Sequence, residues 1–176
     1  MRDSAPLIVR RATLADTVFL PEIERSAARA FRVLRDLGWT PCDFVESVEE
    51  HAASIARGTL WVAEADGNIV GFLTADIKDA ELHIDEFDVQ LEYQRRGIGR
   101  LLLAAAVDFA RDRGFEALTL TTFLGVPWNE PFYKSVGFQV VDKTDLSARL
   151  QAILDLEAEQ GLPRKKRCAM RMTFRS

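Results

Sequence analysis

Val89-Gln90-Leu91-Glu92-Tyr93-Gln94-Arg95-Arg96-Gly97-Ile98-Gly99-Arg100 is the stretch on which the reading of this chain turns. The residues before it form a strand that ends at Val89. The apolar residues after it, Ile98, Leu101, Leu102, Ala105, Ala106 and Phe109, recur at helical spacing as far as Gly114, which predicts a helix over 97–113. The stretch is therefore a strand, a tight turn and a long helix. The first turn of a helix carries unpaired backbone N–H groups and the positive end of the helix dipole. Gly97 and Gly99 remove side chains there, so an anion can reach the backbone, and Arg95, Arg96 and Arg100 add positive charge to a net negative chain. That chemistry suits a pyrophosphate. A lone Gly-x-Gly also occurs at plain solvated helix starts; here the flanking strand and amphipathic helix supply the context. The stretch lacks the Gly-Lys-Ser/Thr of a Walker loop and the acid that completes a dinucleotide fingerprint.

Working outward, a strand is expected over 81–89. Leu82 and Ile84 share one parity, Phe87 and Val89 the other, which predicts a β-bulge near Asp85-Glu86. Strands over 60–63 and 69–73 flank Asp66-Gly67, a hairpin signal. Further upstream, a short strand over 7–9 precedes a helix beginning at Thr13, with Asp16 in a capping box and Leu14, Val18, Ile23, Ala27, Ala30 and Phe31 along it. A second box, Asp43 with Glu46, opens a helix faced by Phe44, Val48, Ala52 and Ile55 and stopped by Gly58. Downstream come a strand over 118–122, a short helix over 129–135, a strand over 138–141, a helix marked by Leu146, Leu150, Ile153 and Leu154, and a last strand in which Cys168, Met170, Met172 and Phe174 alternate. This is an α+β fold, a mixed sheet with helices on it, expected as a single domain over 1–176.

The 176 residues are 48% apolar and 28% charged, the mix of a globular protein and too apolar for a disordered chain. A net charge of −4 repels a phosphate backbone, so nucleic acid is not an expected partner. Cys42 and Cys168 stand apart from any Cys/His cluster, against a disulfide framework or a metal site. No run reaches membrane-spanning length and 1–7 lacks a signal-peptide core, so no membrane contact and a cytoplasmic location are expected.

Gln94-Arg95-Arg96-Gly97-Ile98-Gly99 resembles the Q/R-x-x-G-x-G/A loop of the GCN5-related N-acetyltransferases, and Trp128-Asn129-Glu130-Pro131-Phe132-Tyr133-Lys134-Ser135-Val136-Gly137-Phe138 resembles that family's FYxxxGF segment. The element order agrees along nearly the whole chain. The resemblance implies a central, mostly antiparallel twisted sheet of about six or seven strands, flanked by helices and splayed at a bulge in the fourth strand. It implies acetyl-CoA as co-substrate, with Gln94, Arg95, Arg96, Gly97, Gly99 and Arg100 toward the pyrophosphate, the backbone of Phe87 and Val89 along the pantetheine arm, and Asn129 as a further coenzyme contact. One departure is Val126, which stands seven residues before Tyr133 where the family often has asparagine; Asn129 lies four before it.

Acetyl transfer to an amine needs a base for the amine, a donor for the developing oxyanion and a proton for the leaving thiolate. The resemblance implies the backbone N–H of Val89 as that donor and Tyr133 as the acid. His83 and Asp85 stand where the family places a base; Glu86 and Asp88 are alternatives, and His51 reads as a surface residue. Glu81, Asp85, Glu86, Asp88 and Glu92 crowd one segment, which fits either a cationic acceptor or solvated strand ends. Helices with Glu24, Arg25, Trp39 and Glu46 are expected to wall the acceptor site, and Arg164-Lys165-Lys166-Arg167 reads as a solvated loop. The expected activity is transfer from acetyl-CoA to a small primary amine by direct attack in a ternary complex. The alternatives are a non-catalytic coenzyme-A-sensing domain and a protein lysine or N-terminal acetyltransferase. A homodimer is expected by analogy alone.

Overall fold

A computed structural model describes residues 6–34, 37 and 45–174. Along the chain run β1 (Ile8–Arg11), α1 (Leu20–Ala28), α2 (Val48–Arg57), β2 (Leu60–Ala65), β3 (Asn68–Lys78), β4 (Glu81–Val89), α3 (Ile98–Asp112), β5 (Ala117–Phe123), α4 (Glu130–Ser135), β6 (Gln139–Val140), α5 (Ala148–Glu159) and β7 (Arg167–Thr173). The seven strands form a sheet in the order β1-β2-β3-β4-β5-β7-β6. The pairs β1–β2, β2–β3, β5–β7 and β6–β7 are antiparallel and β4–β5 is parallel. This is the expected α+β architecture, a mostly antiparallel sheet flanked by helices. Among the described residues no helix is long and apolar enough to cross a membrane.

Two compact units make up the chain: Met1–Asp76 with Asp85–Phe109, and Ile77–Ile84 with Ala110–Ser176. In the first, β2 and β3 turn through Asp66 and Gly67, whose φ of 52° and 76° match the left-handed turn that suits twisted strands. Its core gathers Leu20, Ile23, Leu60, Val62 and Phe72. The apolar stripe of α3, with Ile98, Leu102, Leu103 and Ala106, is buried as its spacing requires.

Both upstream helices start later than expected. The Thr13–Asp16 box forms, with the Asp16 carboxylate accepting from the Thr13 N–H at 2.7 Å, but it caps only a 3-10 turn over Leu14–Asp16. The α-helix begins at Leu20 because Pro21 has no N–H to donate and its ring crowds the carbonyl four residues back. Leu14 and Val18 are consequently left 64% and 71% exposed. In α2 the box is Ser47 with Glu50: the Ser47 Oγ accepts from the Glu50 N–H at 3.2 Å, and the Glu50 carboxylate accepts from the Ser47 N–H at 2.7 Å. Ser47-x-x-Glu50 is the fuller capping box and starts the helix at Val48, so Glu46 precedes the helix. Trp39, Cys42, Asp43 and Phe44 lie outside the described residues.

β4 is one strand from Glu81 to Val89, and its ladder with β5 joins Glu81–His83 to Ala117–Thr119. Leu82, His83 and Ile84 are buried in succession and Asp85 is exposed, so simple alternation does break where the apolar parity shifts. A register irregularity between Ala63 and Glu64 occurs in the β2–β3 pair.

In the second unit β5 pairs with β7 from Ala117–Thr173 to Phe123–Arg167. Leu150 and Leu154 of α5 pack on Ala169. Arg167 corrects the solvated-loop reading of the basic run: it pairs with Glu157 at 2.7 Å and its guanidinium lies 4.5 Å above the Phe123 ring. Glu81 likewise leaves the acidic group expected near an acceptor, because it is paired with Arg149 and, at 2.8 Å, with Arg171.

Candidate active site

After Val89 the chain is pinned at three points. The Gln90 N–H donates to the Val70 carbonyl at 2.8 Å. The Leu91 N–H donates to Ser26 Oγ on α1 at 3.1 Å, and Gln94 Nε2 donates to the Val89 carbonyl at 3.0 Å. Gln94, expected among the phosphate contacts, thus spends a donor on fixing the turn against the strand end. Arg95 and Gly97 both take left-handed backbone, with φ of 63° and 86°. The first bond of α3 runs from the Leu101 N–H to the Gly97 carbonyl at 3.2 Å, so the preceding N–H groups are the ones a helix start leaves for an anion. A Cβ built on Gly97 meets nothing within 4 Å. Arg95, Arg96 and Arg100 are exposed, and Arg96 lies 5.0 Å over the Tyr93 ring. Donors, cations and open space together fit a pyrophosphate.

Gly71 on β3 lies against the end of β4. A Cβ there would sit 2.9 Å from the Asp88 carbonyl oxygen, 3.1 Å from Val89 Cγ2 and 3.3 Å from Leu102 Cδ1. Only glycine lets the two strands and α3 approach so closely.

Glu86 and Asp88 stand two apart on β4, hence on one face, and each acts on the other's titration. Both keep some accessible surface although protein surrounds them densely. Burial pushes both carboxyls up, Asp88 to about 7, and the charges of Glu24 and Glu46 push the same way. Asp85, one of the expected bases, is exposed beside them.

His51 corrects the surface reading outright. It is 0% exposed, with Nε2 3.3 Å from Glu24 Oε1 and Nδ1 3.2 Å from Glu46 Oε2, and its ring meets Phe72 edge-on at 5.6 Å. Burial works against its charge, but the carboxylates of Glu24 and Glu46 outweigh that and raise it to about 9. The sequence held a signal for it: with the helix start at Ser47, the positions 51, 54 and 55 fall on one face, and they pack inward.

The second unit holds the other expected residues. His83 is buried, with Nδ1 2.9 Å from Thr119 Oγ1. Tyr133 is buried on α4 between Phe132 and Phe138, at ring distances of 5.3 and 5.7 Å. Asn129 precedes α4 and donates through Nδ2 to Thr122 Oγ1 at 2.8 Å, while its buried Oδ1 has no hydrogen-bond partner. An orphaned buried acceptor suits a ligand that brings an N–H, as the amides of a pantetheine arm do. The Cys168 thiol is buried and pushed up to about 11, chiefly by that burial.

The model of the Acetyltransferase (GNAT) family matches residues 20–138. The chain is 38% identical to the probable N-acetyltransferase camello of Xenopus tropicalis over 52% of its own length and 43% of the relative's. It is 35% identical to N-acetyltransferase family 8 member 3 of Rattus norvegicus over 45% of its length and 37% of the relative's. The chain therefore spans about two fifths of the length of these curated relatives. Among solved structures it is similar to PaiA N-acetyltransferase from Thermoplasma acidophilum in complex with coenzyme A, with a TM-score of 0.72, 18% identity, and coverage of 96% of this chain and 99% of the other.

Proposed function

The chain belongs to the acetyltransferase (GNAT) family, and from that premise we propose that residues 1–176 act as one N-acetyltransferase domain, passing the acetyl group of acetyl-CoA to a primary amine by direct attack in a ternary complex. The observation that carries this reading is the turn from β4 into α3, where an open glycine, exposed arginines and the start of a fifteen-residue helix converge directly after the Glu86–Asp88 pair. The structural neighbour solved with coenzyme A supports the same donor.

Arg95, Arg96, Arg100 and the backbone at Gly97 and Gly99 hold the pyrophosphate, and Asn129 Oδ1 accepts from an amide of the pantetheine arm. The N–H of Val89 steadies the developing oxyanion. The base is the Glu86–Asp88 pair, because a carboxyl raised toward neutrality takes a proton from an ammonium far better than an ordinary one. Asp85 is too exposed, and His83 too enclosed against Thr119, to compete with it. The field of Glu24, Glu46, Glu86 and Asp88 favours an acceptor that arrives as a cation. Tyr133 returns a proton to the departing thiolate. Cys168, held as a thiol, supplies no acyl carrier, in keeping with direct transfer.

The test is coenzyme A release from acetyl-CoA over a panel of diamines, amino acids and peptides. Turnover with any primary amine, lost in Glu86→Gln/Asp88→Asn, supports the reading. Tight acetyl-CoA binding with no turnover on any acceptor marks a coenzyme-A-sensing domain instead.

A further inference from the structure

We propose that His51 is a positioning residue for the base: held as an imidazolium between Glu24 and Glu46, it balances the carboxylates around Glu86 and Asp88 and keeps that pair able to ionise. The identity of the pair as base rests on the reading above; the electrostatic role of His51 does not.

Both ring nitrogens of His51 face carboxylate oxygens, at 3.3 Å from Glu24 and 3.2 Å from Glu46. A neutral imidazole has one N–H and one lone pair, so one of these contacts would set a lone pair against an anion. Only the doubly protonated ring turns an N–H toward both, and it meets them as charge contacts rather than as aligned hydrogen bonds. Glu24 is itself buried, and its second oxygen accepts from the Glu46 N–H at 3.0 Å, which ties the carboxylate to the residues before α2. A buried carboxylate of this kind requires a cation beside it.

The set lies close to the pair. His51 packs on Phe72, and the neighbouring Gly71 lies where a Cβ would meet the Asp88 carbonyl oxygen and Val89 Cγ2. The α1 helix that carries Glu24 also carries Ser26, which holds the Leu91 N–H just past the end of β4. The titratable groups that meet here are Glu24 from α1, Glu46 ahead of α2, His51 and Glu50 on α2, and Glu86 and Asp88 on β4. His51 is the cation that faces two of them, Glu24 and Glu46. The two carboxylates that His51 faces, Glu24 and Glu46, are the two whose charges bear on Glu86 and Asp88.

The experiment is a carbon NMR titration of the Glu86 and Asp88 carboxyls in the free protein, wild type against His51→Gln. The midpoint of the pair is expected to rise by about one pH unit, the scale of one charge at about 10 Å through protein screening. The double variant His51→Gln/Glu24→Gln, which removes one charge of each sign, is expected to return it toward the wild-type value. An unmoved or lowered midpoint in folded His51→Gln overturns the proposal. A nitrogen NMR spectrum of wild-type His51 at pH 7.5 tests it without any variant: a doubly protonated ring supports it and a neutral ring overturns it. The pH dependence of kcat/KM is then read beside the titration. A carboxyl midpoint that moves while the acid limb of the rate stays put keeps the role of His51 and removes the pair as base.

Discussion

Replacing Gly71 by alanine is the sharpest single perturbation of the strand end that this structure offers. The added methyl lands 2.9 Å from the Asp88 carbonyl oxygen, a distance real Cβ atoms do not tolerate, with Val89 Cγ2 and Leu102 Cδ1 at 3.1 and 3.3 Å. A side chain could rotate away, but a backbone carbonyl cannot, so β4 must shift against β3 by a few tenths of an ångström. Overpacking of this order costs about 1–3 kcal/mol. For a chain of this size that corresponds to a fall in Tm of roughly 2–10 °C. The displaced residues are Asp88 and Val89, the proposed base and oxyanion donor, so kcat should fall as well. A misplacement of about 1 Å costs on the order of a hundredfold, and a shift of a few tenths should cost roughly three- to tenfold. The KM for acetyl-CoA should change little, because the turn at Gly97 is not touched. The assays are thermal unfolding and steady-state coenzyme A release. A variant with unchanged Tm and unchanged kcat would refute the reasoning, since it would mean that β3 and β4 are not rigidly apposed at this glycine.

Other consequences are independent of that one. Tyr133→Phe should lower kcat by at least tenfold with acetyl-CoA affinity held within about twofold, since only the proton donor is removed; an unchanged kcat takes Tyr133 out of the mechanism. The folded-state pKa of His51 is raised from 6.5 to about 9, so its stabilising effect is full below about pH 6.5 and is lost as pH rises through about 9. Denaturant unfolding should show about 3 kcal/mol less stability at pH 10 than at pH 6 from this group, and His51→Gln should flatten that dependence. Cys168, buried with its thiol near 11, should resist maleimide at pH 7 in the folded protein and react at once in denaturant; rapid labelling of Cys168 in the native state contradicts the burial.

What could be read from the residues was local. The hairpin at Asp66-Gly67, the helix α3 and the strand β7 each announce themselves through a turn residue or a period that acts within a few positions. The glycine turn before α3 was legible for the same reason. The starts of α1 and α2 were harder, because each segment offers competing signals: the Thr13–Asp16 box is real but Pro21 blocks its continuation, and Ser47–Glu50 caps α2 with Glu46 ahead of it. Long-range pairing left no local trace. Glu81 reads as one more acid beside Asp85 and Glu86, yet its partners Arg149 and Arg171 lie 68 and 90 residues away. The inward face of His51 was readable only once α2 was started at Ser47, and its partner Glu24 belongs to another helix.

The central claim is that the turn between β4 and α3 holds the pyrophosphate of acetyl-CoA, and calorimetric titration of acetyl-CoA into wild type and Gly97→Glu tests it most directly. Left-handed backbone at Gly97 makes any side chain there cost about 1 kcal/mol, and the space around it is open, so the variant should fold, as near-ultraviolet circular dichroism can verify. Its carboxylate would stand where the phosphates bind. The account predicts micromolar or tighter binding of acetyl-CoA by the wild type, none of comparable strength for ATP or NAD, and a loss of at least tenfold in Gly97→Glu. A folded wild type that does not bind acetyl-CoA, or a folded Gly97→Glu that binds it as tightly as the wild type, would contradict the account.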